Sequence, residues 1–146
     1  MINTSSLQVS FHFADQQCTL AQRTVLKQFL VSLFKKEKIP LESLTYIFCS
    51  DNYLLEINRE YLQHDYFTDI ITFNMANKFQ PVMGEIYISI DRVKDNARSF
   101  GVSFKQELHR VIFHGALHLC GYKDKTKEQQ TLMRAMEDKY LKWYFK

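Results

Sequence analysis

SFKQELHRVIFHGALHLCGYKD, residues Ser103–Asp124, decides how this chain reads. Ser103 stands three residues ahead of Gln106, the spacing of a capping box, so a helix opens here. Leu108, Ile112 and Leu119 set one apolar face, and Phe113, Leu117 and Cys120 carry apolar character round the remainder, so the helix is expected to be buried. His114 and His118 lie within it. At about 100° per residue their rings lean from one face, about 40° apart and one turn apart. Two buried imidazoles without partners are costly, and one divalent metal satisfies both. The bland alternative is a pair of core or surface histidines whose spacing is chance.

Gly121 strengthens the metal reading. A glycine three residues after the second His can take the left-handed conformation that stops a helix and turns the chain back. Asp124 then swings over the same face as a third ligand. The pattern H-x-x-x-H-x-x-G-x-x-D has the geometry of the zinc-protease array H-E-x-x-H-x-x-G-x-x-H, with Asp in the last place. Three protein ligands and an open fourth position make a catalytic site, whereas a structural zinc is closed by four. The protease's general base, a Glu directly after the first His, is replaced by Gly115, which argues against peptidase chemistry.

Working outward, Leu7–Phe13 alternates as a strand. Thr19 and Gln22 read as a capping box before a long helix with Leu26, Phe29, Leu30, Leu33 and Phe34 on its buried stripe, closed by Ile39-Pro40. Leu44–Cys49 is β-prone, and Ser50 or Asp51 caps a short helix carrying Leu54, Leu55, Ile57, Tyr61 and Leu62. Asp69–Phe73 and Glu85–Ile90 read as two strands, close enough in sequence to pair antiparallel. Asp91 is expected to cap a helix ended by Gly101. A last helix starts from the capping box at Thr126–Gln129 and buries Leu132, Met133, Met136, Tyr140 and Trp143. The order is β-α-β-α-β-β-α-α-α. It implies one α+β domain over residues 1–146, with an about four-stranded mixed sheet covered by about five helices and a zincin-like metal helix.

Composition removes other classes. With 46% hydrophobic and 24% charged residues, and only four Gly and two Pro, the chain is neither disordered nor fibrous. No run approaches a membrane span, and the first residues lack a secretory pattern. Cys18, Cys49 and Cys120 form no CxxC pair and read as buried small hydrophobes in a reducing, cytoplasmic setting. The net charge of +3 is uneven: residues 123–146 carry seven Lys/Arg against four Asp/Glu, and the rest of the chain balances. Lys123 and Lys125 flank Asp124, so a bound cation and these lysines together would draw a polyanion such as RNA. No Walker A or Rossmann motif is present, so no nucleotide cofactor is expected.

His114-Gly115-x-Leu117-His118-Leu119-x-Gly121-Tyr122 resembles the signature H-G-x-L-H-L-x-G-Y of the YbeY family, bacterial single-metal endoribonucleases. Asn58 and Tyr61, the Thr68–Phe73 segment, and Gly84–Ser89 resemble further family segments, so the likeness runs over residues 44–140 or so. It implies a zinc-dependent, single-strand-type endoribonuclease with one zinc per chain on His114, His118 and Asp124. The metal-bound water would be the reacting group, and no protein base is assigned. It also implies work in ribosomal RNA maturation and ribosome quality control, with ribosomal RNA or a ribosomal subunit as partner and no membrane. Two positions depart from the pattern. The family's third His is Asp124 here, an acceptable zinc ligand that adds a negative charge. The family's basic residue after the matched Tyr61 is Leu62 here. Arg59, three residues earlier than Leu62, either substitutes for it in RNA binding or is a solvated surface residue. Glu107 matches an acidic family position. By helix geometry it lies on the histidine side but about 10 Å below His114, which suits an outer carboxylate or a structural one. His109, His12 and His64 are expected to stand apart from the metal. The competing functions are a non-enzymatic ribosome assembly factor with a structural metal, and a metal hydrolase of another substrate.

Overall fold

Four strands form one sheet in the order β1 (Val9–Phe13), β2 (Leu41–Cys49), β4 (Val82–Ser89), β3 (Ile70–Asn74). The computed structural model describes residues 8–146, so Leu7, read as the start of the first strand, lies outside the described residues. β1 runs parallel to β2, and β2 to β4, because each crossover carries a helix: α1 (Arg23–Lys36) in the first, α2 (Asp51–Leu62) and β3 in the second. β3 pairs antiparallel with β4, as its short connection requires. Asn74 closes that hairpin, its Oδ1 accepting from the backbone N–H of Ala76 and Met83. Three helices follow: α3 (Ile90–Phe100), α4 (Phe104–Leu119) and α5 (Lys127–Tyr144).

Alternation along the strands divides the hydrophobic residues between two faces. Leu44, Tyr46, Phe48, Ile86 and Ile88 meet α1 and α4 in the main core. Cys49, Ile71, Phe73 and Tyr87 meet Leu54 and Ile57 of α2 in a smaller cluster on the other side. α4 is the axis of the main layer, touching α1, α3, α5 and strands β3 and β4. Its fit against the sheet is close. A Cβ on Gly115 would stand 2.9 Å from Ile70 Cδ1 and 3.0 Å from Ile86 Cδ1. In the middle of the sheet, Tyr46 satisfies its buried hydroxyl by donating to Ile112 O at 2.7 Å.

Several local expectations change. α1 begins at Arg23 behind Gln22, which is left-handed (φ 53°) and makes no side-chain cap, so the Thr19–Gln22 box does not form. The helix ends at Lys36, ahead of Ile39-Pro40, because Lys38 turns left-handed. Ser89 caps α3 in place of Asp91, since Ile90 and Asp91 are already helical. Asp91 instead accepts from Asp51 N and from the Gln16 side chain. Ser50 is the cap of α2. β2 and β4 each start three residues earlier than periodicity alone suggests. Leu62 and Tyr61 of α2, and Leu132 and Trp143 of α5, are exposed rather than buried.

Candidate active site

α4 ends in the expected turn. Cys120 is its last capping residue, Gly121 follows at φ 107°, and two bonds close the end: Gly121 N to His118 O and Tyr122 N to Leu117 O. This is the Schellman arrangement, which needs a residue tolerant of positive φ at Gly121. The next loop is tied to its neighbours. Tyr122 Oη donates to Glu37 at the end of α1, Gln130 Nε2 donates to Asp124 O, and the Thr126–Gln129 capping box starts α5 immediately after.

The turn brings Asp124 back over α4. Its Oδ2 lies 3.3 Å from His114 Nε2. That exceeds an ordinary N–H···O hydrogen bond but equals, to within a few tenths, the separation of about 3.4 Å between two tetrahedral ligands bonded at about 2.0–2.2 Å to one zinc. The other imidazole nitrogen is committed: His114 Nδ1 donates to Glu137 Oε2 at 2.6 Å. The tautomer with Nδ1–H leaves the Nε2 lone pair facing Asp124, the carboxylate–histidine arrangement usual behind metal ligands. His118, one turn along α4, is exposed and lines the same cleft. Among the described residues no three His, Cys, Asp or Glu side chains already converge as a finished ligand set. The donor chemistry fits a divalent metal, with His114 and Asp124 at ligand spacing and His118 on the same wall.

The cleft has a volume of about 560 Å³, and α3, α4, α5, the start of β3 and the Asp124 loop wall it. Four carboxylates (Asp69, Glu107, Asp124, Glu137) and two guanidiniums (Arg110, Arg134) line it. Such a cleft favours a cation and, without one, repels a phosphate. Arg110 is occupied by Glu137 at 3.0 Å and Asp138 at 2.6 Å, whereas Arg134 is half-exposed and reaches only to 4.0 Å from Glu137. Burial pulls the His114 pKa down, but the Glu137 hydrogen bond and the charges of Glu137, Asp124 and Asp69 outweigh it and hold the imidazolium above its ordinary value. Burial raises the Asp69 carboxyl, against the lowering pull of His114. Burial also raises Glu107, despite Arg110.

Of the residues singled out from sequence, His114, His118, Asp124 and Glu107 all line this cleft. Lys123 and Lys125 are exposed on either side of Asp124 and do not form its wall. Arg59 is not brought there. α2 packs on the opposite face of the sheet, and Arg59 is exposed in ion pairs with Glu56 at 2.9 Å and Asp65 at 2.6 Å. Glu137 and Asp69 were not anticipated. Glu137 had a signal in sequence: it interrupts the buried stripe of α5 formed by Met133, Tyr140 and Leu141, where a carboxylate must have a partner. Gly115 also gains a physical reason. Its Cβ direction points into Ile70 and Ile86, so a protease-type general base has no room there.

A profile described as Endoribonuclease YbeY matches residues 8–144. Among curated relatives, an endoribonuclease YbeY of Cytophaga hutchinsonii is 52% identical over 130 residues, 89% of this chain and 91% of that one. One from Flavobacterium psychrophilum is 43% identical over 136 residues, covering 93% of this chain and 96% of its own. The solution structure of a Thermotoga maritima protein superposes with a TM-score of 0.57 at 27% identity, covering 94% of this chain and 89% of that chain. The α4 signature, the cleft behind it and these likenesses agree: the chain belongs to the endoribonuclease YbeY family, hydrolases that cut RNA at internal phosphodiester bonds.

Proposed function

We propose that this endoribonuclease cuts RNA in the cleft at the C-terminal end of α4, with His114, His118 and Asp124 holding one zinc ion. The observation that carries the reading is the 3.3 Å approach of His114 Nε2 to Asp124 Oδ2 while Nδ1 is held by Glu137. A zinc ion held by these residues would supply Lewis acidity toward a phosphoryl oxygen and would acidify a water. Glu137 fixes the His114 tautomer, and Arg110 in turn fixes Glu137 through a charge-assisted bond. Arg134, the less committed cation of the wall, meets a phosphate oxygen of the substrate. Glu107 and Asp69 face the same space, and burial raises the pKa of each carboxyl. Lys123 and Lys125 attract the RNA from the rim. We infer ribosomal RNA as the substrate, maturation and quality control of ribosomes as the role, and the cytoplasm as the location, with residues 1–146 acting as one unit. No helix of the described residues is long and apolar enough to cross a membrane.

The test compares zinc content and cleavage of structured ribosomal RNA for the wild type, His114→Ala and Glu137→Gln. His114→Ala is expected to lose both metal and activity. Glu137→Gln is expected to weaken zinc binding by about 10- to 100-fold, as loss of an orienting carboxylate does. Full zinc occupancy with undiminished cleavage in His114→Ala would overturn the assignment.

A further inference from the structure

One face of α3 looks into the cleft. Arg92, Asn96 and Phe100 stand four residues apart on this helix, a single row about 12 Å long. Asn96 and Phe100 line the cleft, and Asn96 Nδ2 donates to Asp69 Oδ2 at 3.3 Å. Arg92, at the far end of the row, is anchored by Asp51 at 2.9 Å and holds its guanidinium 5.5 Å from the centroid of the Phe67 ring. Phe67 directly precedes Thr68 and Asp69, both of which line the cleft. A phenyl ring therefore stands at each end of the row, Phe100 on it and Phe67 beside Arg92, with the Asn96 amide between them.

Neither ring is placed for the core. Phe100 is 57% exposed and Phe67 51% exposed, whereas Phe34, Phe48 and Phe113 are fully buried. A single exposed apolar residue needs no explanation. Phe100 on the row and Phe67 beside its Arg92 end differ from scattered exposure, because aromatic faces beside a groove that draws phosphate once its cation is bound are how unpaired nucleotides are held. Every base has a π-face, so such rings bind without selecting a sequence. The Arg92 guanidinium lies over the Phe67 ring in cation–π contact and is itself paired with Asp51.

We propose that Phe100 and Phe67 are positioning residues of this site, stacking on bases of the RNA strand that flank the cut phosphate, with the α3 row as the track along which the strand lies. The assignment rests on RNA cleavage in this cleft. Stacking holds bases and not the reacting phosphate, so its loss acts on KM and leaves kcat in place.

The test uses zinc-loaded wild type, Phe100→Ala, Phe67→Ala and Phe100→Trp, with a short unstructured RNA and the same RNA annealed to its complement. Both alanine variants are expected to raise KM for the unpaired RNA about tenfold, within the range for loss of one stacked base, with kcat within about twofold of wild type. Phe100→Trp is expected to restore wild-type KM, which a general packing defect would not allow. A wild-type KM in both alanine variants overturns the proposal, as does an equal loss on unpaired and annealed RNA. If the wild type cuts no RNA yet binds the unpaired strand about tenfold more tightly than Phe100→Ala, stacking stands and the catalytic assignment of the cleft falls.

Discussion

His109 and His114 are five residues apart on α4, and burial acts on both with opposite outcomes. His114 has Glu137, Asp124 and Asp69 around it, so its imidazolium is favoured. His109 is 2% exposed, its Nδ1–H donates to Lys105 O at 2.7 Å, and its Nε2 is buried without a partner among the described residues. The ring lies between Tyr144, stacked at 5.3 Å, and Phe145. Burial lowers its pKa, the Lys105 carbonyl raises it, and the Lys105 charge lowers it further, with a net fall. The unfolded chain takes up this proton at about 6.5, the folded chain only at lower pH. Between those values the unfolded state binds more protons, so His109 costs nothing above about pH 6.5 and destabilises the fold as pH drops through and below it. Replacing it with Phe, which keeps the aromatic packing, is expected to flatten the acid side of a melting temperature against pH profile. A profile equally steep in His109→Phe would show that other groups set the acid limb.

At the scale of elements, the approach of α4 to the sheet sets where the site stands. Gly115 packs on Ile70 and Ile86, with the sites for an added Cβ at 2.9 and 3.0 Å. Gly115→Ala is expected to be near neutral: Ile termini can give a few tenths of an ångström, and alanine recovers about 1 kcal/mol of helix propensity. Gly115→Val has no such offset and is expected to cost about 1–3 kcal/mol by overpacking, read from urea unfolding at constant m-value. It should also lower cleavage, because α4 carries His114 and His118. The core of this architecture was legible in advance. The alternation of Leu44, Tyr46 and Phe48, the Ile86 and Ile88 pair, and the stop at Gly121 follow from periods and backbone freedom that are local properties of the chain. The turn that returns Asp124 over α4 was legible for the same reason. Glu137 and Arg110 were not, because their partnership joins two helices through packing that no short window contains. The α1 and α3 caps differ from the expectation although Thr19 and Asp91 have suitable side chains: Gln22 turns left-handed ahead of α1 without a side-chain cap, and the Ser89 hydroxyl caps α3 two residues ahead of Asp91. Arg59 was placed by its helix face alone, which cannot report that α2 lies across the sheet from α4.

The whole molecule sets its charges in two zones. The cleft wall is rich in carboxylates, and of the seven basic residues of 123–146 only Arg134 lines it, with Lys123 and Lys125 exposed at the rim. The rim can therefore be altered without touching the wall. Replacing Lys123 and Lys125 together by Ala is expected to weaken binding of unpaired RNA and to reduce the slope of log affinity against log salt by about 1.4, at about 0.7 per phosphate contact. Zinc content should stay unchanged, and a salt slope equal to wild type would show that these lysines lie away from the RNA path.

The same two zones share an origin late in the chain. Asp124, Gln130, Arg134 and Glu137 all belong to the last 24 residues, and α5 is the element that holds His114 in orientation. Local unfolding of α5 alone would therefore strip the cleft of the carboxylate that orients His114 while leaving the sheet and both histidines in place.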